Sequence, residues 1–231
     1  MCPIYMVSGC KGGVGKSIVS MALLDYLIKL GRKCLLIEAD TANDDVFKAY
    51  GDSVVTAHIN LDAEEGGVEL VNLLDANQDS IAVINFGARS NSGVTQYGET
   101  LMGLLEDLKR KLVTFWVINT DRDGLELLKD YLPVVDGSLV HVVKNTYFGN
   151  DDRFDLYNSS KLRQQVEAGG ADLVQLFFLR RVFGQHPRLH FIHECIRLVG
   201  QRHGLAHCLA VLAVLVMAGD GLRRILQLTQ Q

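Results

Sequence analysis

The sequence predicts an α/β fold, a doubly wound and mostly parallel sheet with helices on both faces. Three observations carry that prediction. Short apolar runs alternate with helical patterns from residue 1 to about residue 179. Several of these runs are continuously apolar, as strands covered on both faces are. A glycine-rich turn joins the first run to the first helix, and open α/β sheets bind ligands beyond the carboxyl ends of their strands.

With 231 residues the chain is long enough for one α/β domain with a sizeable core. A single domain over residues 1–231 is therefore expected, with residues 181–231 as a C-terminal helical part. Apolar content of 48% and charged content of 22% are those of a globular chain. The net charge of −4 gives no general attraction to nucleic acid, but it is unevenly placed. Residues 1–160 hold 14 Lys+Arg against 23 Asp+Glu, and residues 161–231 hold 9 against 4. Any contact with DNA is thus expected in the C-terminal third. Five scattered cysteines and no signal-peptide pattern point to the reducing cytoplasm. The apolar run Leu205–Ala218 is shorter than the roughly 20 residues a membrane-spanning helix needs, and reads as a core helix.

The first strand is expected at Ile4–Val7 and the first helix from Ser17 to Leu30, stopped by Gly31. Between them lies Cys10-Lys11-Gly12-Gly13-Val14-Gly15-Lys16-Ser17. Strand, glycine loop and helix in this order make a phosphate-binding loop. Glycines let the backbone turn its N–H groups inward, and the helix start adds the positive end of its dipole. The expected nucleotide contacts are Gly12, Gly13, Val14, Gly15, Lys16, Ser17 and Ile18. Lys16 would set its ammonium against the β- and γ-phosphates, and the Ser17 hydroxyl would sit on Mg²⁺.

Further along, Cys34–Ile37 reads as a buried strand ending in Glu38-Ala39-Asp40. Asp40 suits either a place beside the phosphates or a turn leading into a helix at Val46–Tyr50. A strand at Val54–Ile59 precedes a helix over 63–74, with Val68, Leu70, Val71 and Leu74 on its apolar face. Ile81–Ile84 is the next buried strand, followed by Asn85-Phe86-Gly87-Ala88 and the Ser/Gly/Asn-rich stretch Arg89–Gly98. Then come a helix over 99–111, the strand Val113–Ile118, a helix reaching Tyr131 and the strand Leu139–Val143. A polar loop over 149–155, a helix Ser159–Ala168 and a last strand Leu173–Leu179 complete the pattern.

Lys11 narrows the chemistry. The run Lys11-Gly12-Gly13-Val14-Gly15-Lys16-Ser17 resembles the deviant Walker A loop of the ParA/MinD family of P-loop ATPases. The resemblance implies ATP and Mg²⁺ as ligands, and a homodimer with ATP in which Lys11 reaches the partner's nucleotide. It gives catalytic roles to Lys11, Lys16 and Asp40, the last orienting the attacking water. It places Ser17, Asp40 and residue 85 around the metal, although the family has an aspartate where this chain has Asn85. An amide there brings no charge, so weak Mg²⁺ binding or slow hydrolysis is expected. Asn145 matches the family's adenine-contacting asparagine and equally suits a turn.

Within the family, Leu36–Thr41 with Asn43, and Val83–Ala88, look most like the MobD- or TraL-like members encoded with plasmid mobilisation and conjugal-transfer genes. A partner protein that stimulates turnover follows from the same resemblance, as does partitioning of DNA as a setting. Two other readings remain open: a nucleotide-binding module with little hydrolysis, and a small-molecule kinase or amidoligase with a polar pocket near Asp40 and Asn119. The spacings of His190, His193, Cys195, His203, His207 and Cys208 admit zinc, but their apolar surroundings favour ordinary core or surface histidines. The tail Gly221–Leu228 resembles a short membrane-targeting helix, yet its single basic pair is too little charge to hold a membrane. Peripheral membrane contact is therefore not expected.

Overall fold

The computed structural model describes residues 2–63, 65–87, 98 and 101–170, and the backbone of 173–178 and 194–199. Its strands are β1 (Ile4–Gly9), β2 (Cys34–Ala39), β3 (Val55–His58), β4 (Ile81–Phe86), β5 (Leu112–Ile118), β6 (Leu139–Asn145), β7 (Leu173–Phe178) and β8 (Glu194–Val199). The helices are α1 (Lys16–Lys29), α2 (Asp45–Tyr50), α3 (Gly66–Ala76), α4 (Asp123–Tyr131), α5 (Asp155–Asn158) and α6 (Lys161–Ala168). One sheet holds all eight strands in the order β3-β2-β4-β1-β5-β6-β7-β8. Strands β1 to β7 run parallel, and β8 alone pairs antiparallel, against β7.

Why these residues form these strands is visible in their burial. Every residue of β1, β2, β4 and β5 is buried, so each apolar run meets a helix layer on both sides. On one face Val19, Leu23, Leu24 and Leu27 of α1, with Val46 of α2, pack on Val7, Leu36, Val83 and Val117. On the other, Leu70 and Leu74 of α3, Leu125 and Leu128 of α4, and Val166 of α6 pack on Met6, Ile37, Ile84 and Trp116. Two apolar layers on opposite faces of one parallel sheet make the doubly wound α/β fold expected from the sequence. Central β1 lies between β4 and β5, which puts the chain leaving β1 in the crevice between their carboxyl ends.

Three expectations need correction. Val68 is not on the buried face of α3; it is 66% exposed, and Leu70 and Leu74 make the contact. Residues 101–104 are helical, but the helix expected through Lys111 ends sooner. There Lys109 takes a left-handed φ of 50°, with Arg110 N bonded to Leu105 O and Lys109 N to Glu106 O. This helix stop usually employs glycine, and here it turns Arg110 back beneath the sheet. Finally, residues 194–199 form β8 inside the segment expected to be helical. The expectations for Leu205–Ala218, the tail 221–228, the histidines beyond 185 and most of 89–98 fall outside the described residues.

Candidate functional site

The glycine loop leaves β1 at the carboxyl edge of the sheet and enters α1 at Lys16. Gly13 has φ +77° and Gly15 φ +109°, conformations that L side chains rarely adopt. Cys10, which stands where the ordinary loop has glycine, does not need that freedom. Among the described non-glycine residues only Lys109 has a positive φ. The thiol instead needs space, and Gly124 at the start of α4 provides it: a Cβ there would lie 3.2 Å from Cys10 Sγ. Burial pushes the Cys10 thiol above its ordinary pKa.

Lys16 is 5% exposed, and its Nζ donates to Lys11 O at 2.8 Å. An ammonium has three N–H donors, and the described residues fill one. Burial pulls its pKa down, and the charge of Asp40 opposes that shift. A buried, under-filled ammonium beside a glycine loop at a helix start is chemically suited to an anionic ligand. Ser17 and Ile18, on the first turn of α1, are half-buried. Lys11 points elsewhere. Its Nζ lies 2.6 Å from Asp123 Oδ2 and 3.6 Å from Asp121 Oδ2 of the same chain. Asn119 fixes that acidic turn, its Nδ2 on Asp121 Oδ2 at 2.8 Å and its Oδ1 accepting from Asp121 N at 3.1 Å. The hydrogen bond to Asp123 raises the Lys11 pKa and lowers that of Asp123.

Asp40 follows β2 and closes a turn, its Oδ1 accepting from Ala42 N and Asn43 N, both at 3.1 Å. Its Oδ2 has no hydrogen-bond partner among the described residues. The turn raised by the sequence is present, and the charge of Asp40 acts on Lys16. Asn85, 0% exposed, has its amide occupied within the protein. Its Oδ1 accepts from Ser20 Oγ at 2.8 Å, and its Nδ2 donates to Glu38 Oε1 at 2.7 Å. Glu38 also accepts from Asp40 N and Phe47 N, each at 3.3 Å. Burial raises the Glu38 pKa against the pull of these donors. Asn145 ends β6 as expected, with Nδ2 on Val14 O at 2.8 Å and Oδ1 accepting from Tyr147 N at 3.0 Å. It braces the loop.

The loop glycines, Lys16, Ser17 and Asp40, the residues expected at the phosphates, thus all follow the carboxyl ends of β1 and β2. Sequence reasoning missed Ser20, Asp121 and Asp123. Ser20 was hidden one turn into α1, and the two aspartates are distant in sequence from the lysine they hold. No cluster of metal-ligating side chains occurs among the described residues, and none of their helices is long and apolar enough to cross a membrane.

A parallel α/β sheet whose first strand passes through a glycine loop into a helix bearing a buried lysine defines a P-loop nucleotide-binding domain. Residues 5–145 match the CobQ/CobB/MinD/ParA nucleotide binding domain, and the chain belongs to that family. It is 56% identical over 171 residues to protein MobD of Acidithiobacillus ferrooxidans, covering 74% of this chain and 75% of that one. The expected likeness to the ParA/MinD family and its MobD-like members is thereby borne out. The cell division protein FtsY of Thermotoga maritima shares the fold, with a TM-score of 0.50 at 16% identity. That likeness covers 72% of this chain and 59% of FtsY.

Proposed function

We propose that this protein is an ATP-binding switch that hydrolyses ATP slowly, dimerises with ATP bound, and acts in plasmid mobilisation, conjugal transfer or DNA partitioning in the cytoplasm. The observation that carries the reading is Lys16, buried beside Lys11 in the glycine loop with donors left for a ligand. Likeness to MobD supports the setting. Asn119 is tied to Asp121, which favours a switch over a kinase or amidoligase using Asn119 in a substrate pocket.

Each residue then has a task. The N–H groups of Gly12 to Ile18 and the Lys16 ammonium hold the β- and γ-phosphates, and Asp40 Oδ2 orients water for in-line attack. Ser17 and Asp40 would hold Mg²⁺, which supplies charge neutralisation when bound. Lys11 leaves Asp123 and reaches the partner's nucleotide. A partner protein that accelerates turnover and a DNA contact through the basic C-terminal third belong to the same proposal.

The test is binding of a fluorescent ATP analogue together with sedimentation in non-hydrolysable ATP. Micromolar binding and a monomer-to-dimer shift are expected, with hydrolysis rising when DNA and a partner are added. A protein that binds no nucleotide would overturn the proposal.

A further inference from the structure

The amide of Asn85 stands at the centre of a buried chain of hydrogen bonds: Ser20 Oγ to Asn85 Oδ1, Asn85 Nδ2 to Glu38 Oε1, and Asp40 N to the same Glu38 Oε1. Ser20, Asn85 and Glu38 are 0%, 0% and 1% exposed. The chain begins on α1, one turn beyond Lys16, crosses β4 and ends on the backbone of Asp40. Glu38 Oε2 extends it to Phe47 N in α2. We propose that Asn85 is a positioning residue: through Glu38 it fixes Asp40, and it takes no part in the metal shell. The inference rests on the function proposed above for the catalytic part of its test only.

The physical case is one of donors and charge. A carboxylate accepts hydrogen bonds and donates none, so an aspartate at position 85 could still accept from Ser20 but could not donate to Glu38. Two carboxylate oxygens would then face each other at hydrogen-bond distance in a buried site, an arrangement that proteins settle by taking up a proton or a cation. Asparagine settles it with its own N–H, which leaves Glu38 free to hold two further backbone donors. This chain therefore holds the segment at Asp40 in place without help from a metal. The amide is matched to the glutamate on the neighbouring strand, and β2 and β4 set the pair side by side in register, Glu38 opposite Asn85.

The experiment uses Asn85→Ala, Asn85→Asp and the exchanged pair Glu38→Gln/Asn85→Asp, each in the full chain. Amide hydrogen exchange of the nucleotide-free protein reads the chain directly. In Asn85→Ala the protection of the Asp40 and Phe47 amides should fall about tenfold, while Leu36 and Val83 in the strands keep theirs. Asn85→Asp should lower the melting midpoint by about 5–10 °C. The exchanged pair should recover part of that loss. A glutamine at position 38 can donate to a carboxylate at position 85 with the nitrogen that replaces Oε1, and its oxygen, in place of Oε2, still accepts from Phe47 N; Asp40 N, which shares Oε1 with Asn85, loses its acceptor. In hydrolysis, Asn85→Ala should lower kcat about tenfold or more. KM for ATP and the Mg²⁺ concentration at half-maximal rate should stay within about twofold, and the exchanged pair, in which Asp40 N has no acceptor at position 38, should leave kcat low. Unchanged protection at Asp40 would overturn the proposal, and so would a lower Mg²⁺ requirement in Asn85→Asp. A protein that bound ATP but turned over none would overturn the hydrolytic part of the proposed function, and hydrogen exchange would still decide the positioning role.

Discussion

Lys16 and Arg110 are both buried cations, 5% and 4% exposed, at opposite ends of one sheet. Arg110 lies beneath the amino ends of the strands, and all five of its N–H donors reach backbone carbonyls. Nε meets Cys2 O, Nη1 meets Leu74 O and Asn77 O, and Nη2 meets Pro3 O and Ser80 O. Lys16, at the carboxyl ends, has one carbonyl. Burial disfavours the charged form in both, lowering each pKa. The difference is saturation. A cation whose donors are all met is part of the fold, whereas one left with donors to fill is prepared for an anion. Lys144 falls with Arg110: it is 0% exposed, bonds to Asp151 and Asn158, and lies over the rings of Phe154 and Tyr157.

The comparison predicts opposite signatures for the two truncations. Arg110→Ala should cost about 3–5 kcal/mol of stability, because carbonyls in two distant stretches, 2–3 and 74–80, lose their donor together. Chemical denaturation checks it, and a loss below about 1 kcal/mol would break the comparison. Lys16→Ala should leave the melting midpoint unchanged or slightly higher, since a half-paired buried charge is removed. Nucleotide affinity in that variant should fall about 100-fold or more. Retained affinity would remove Lys16 from the phosphate site.

How much of this was legible in the sequence follows the same division. The glycine loop, Lys16 and Ser17 were readable because their chemistry is local: turn, charge and helix start lie within eight residues. The strands were readable because burial on both faces writes continuous apolar runs. Arg110 was not readable, since its five partners are spread from Cys2 to Ser80 and only the folded chain gathers them. The hydrogen bonds of Asn85 were hidden for a similar reason. The family resemblance set it beside a metal, whereas its partners on α1 and β2 come together only in the sheet. The strand β8 lay hidden in Glu194–Val199, where Cys195, Ile196, Leu198 and Val199 are apolar without regular alternation.

Lys11 gives the comparison an exposed counterpart, a cation with partners it must give up if it serves another subunit. Asp123→Ala should free it, lowering the concentration of non-hydrolysable ATP needed for half-maximal dimerisation by about two- to fivefold. Lys11→Ala should bind nucleotide as before and remain monomeric. The Asp123 pKa is lowered by Lys11, so the tie persists as pH falls past the usual carboxylate range and is lost only below it. Dimerisation of the unaltered protein should therefore become easier at acidic pH only in that lower range, which sedimentation at graded pH would show. A dimerising Lys11→Ala would reduce Lys11 to a loop cation.

The smallest expected effect concerns the fit between Cys10 and Gly124. Alanine at position 124 gains about 1 kcal/mol of helix propensity over glycine in α4. Its Cβ would stand 3.2 Å from Cys10 Sγ, closer than ordinary contact, so the loop or the helix must yield by a few tenths of an ångström. The two terms oppose each other, and Gly124→Ala alone should change stability by less than about 0.5 kcal/mol. Cys10→Ala removes the sulfur and leaves only the Cys10 Cβ, 3.7 Å from the new methyl. In that background the helix gain should appear undiminished, giving a coupling of about 0.5–1 kcal/mol in a double-mutant cycle. Because Cys10 precedes Lys11 and the glycines, the single Gly124→Ala variant should also weaken nucleotide binding severalfold, and Cys10→Ala/Gly124→Ala should restore it. Additive effects would mean that α4 does not press on the loop, and that the under-filled lysine at its centre is held by α1 and Asn145 alone.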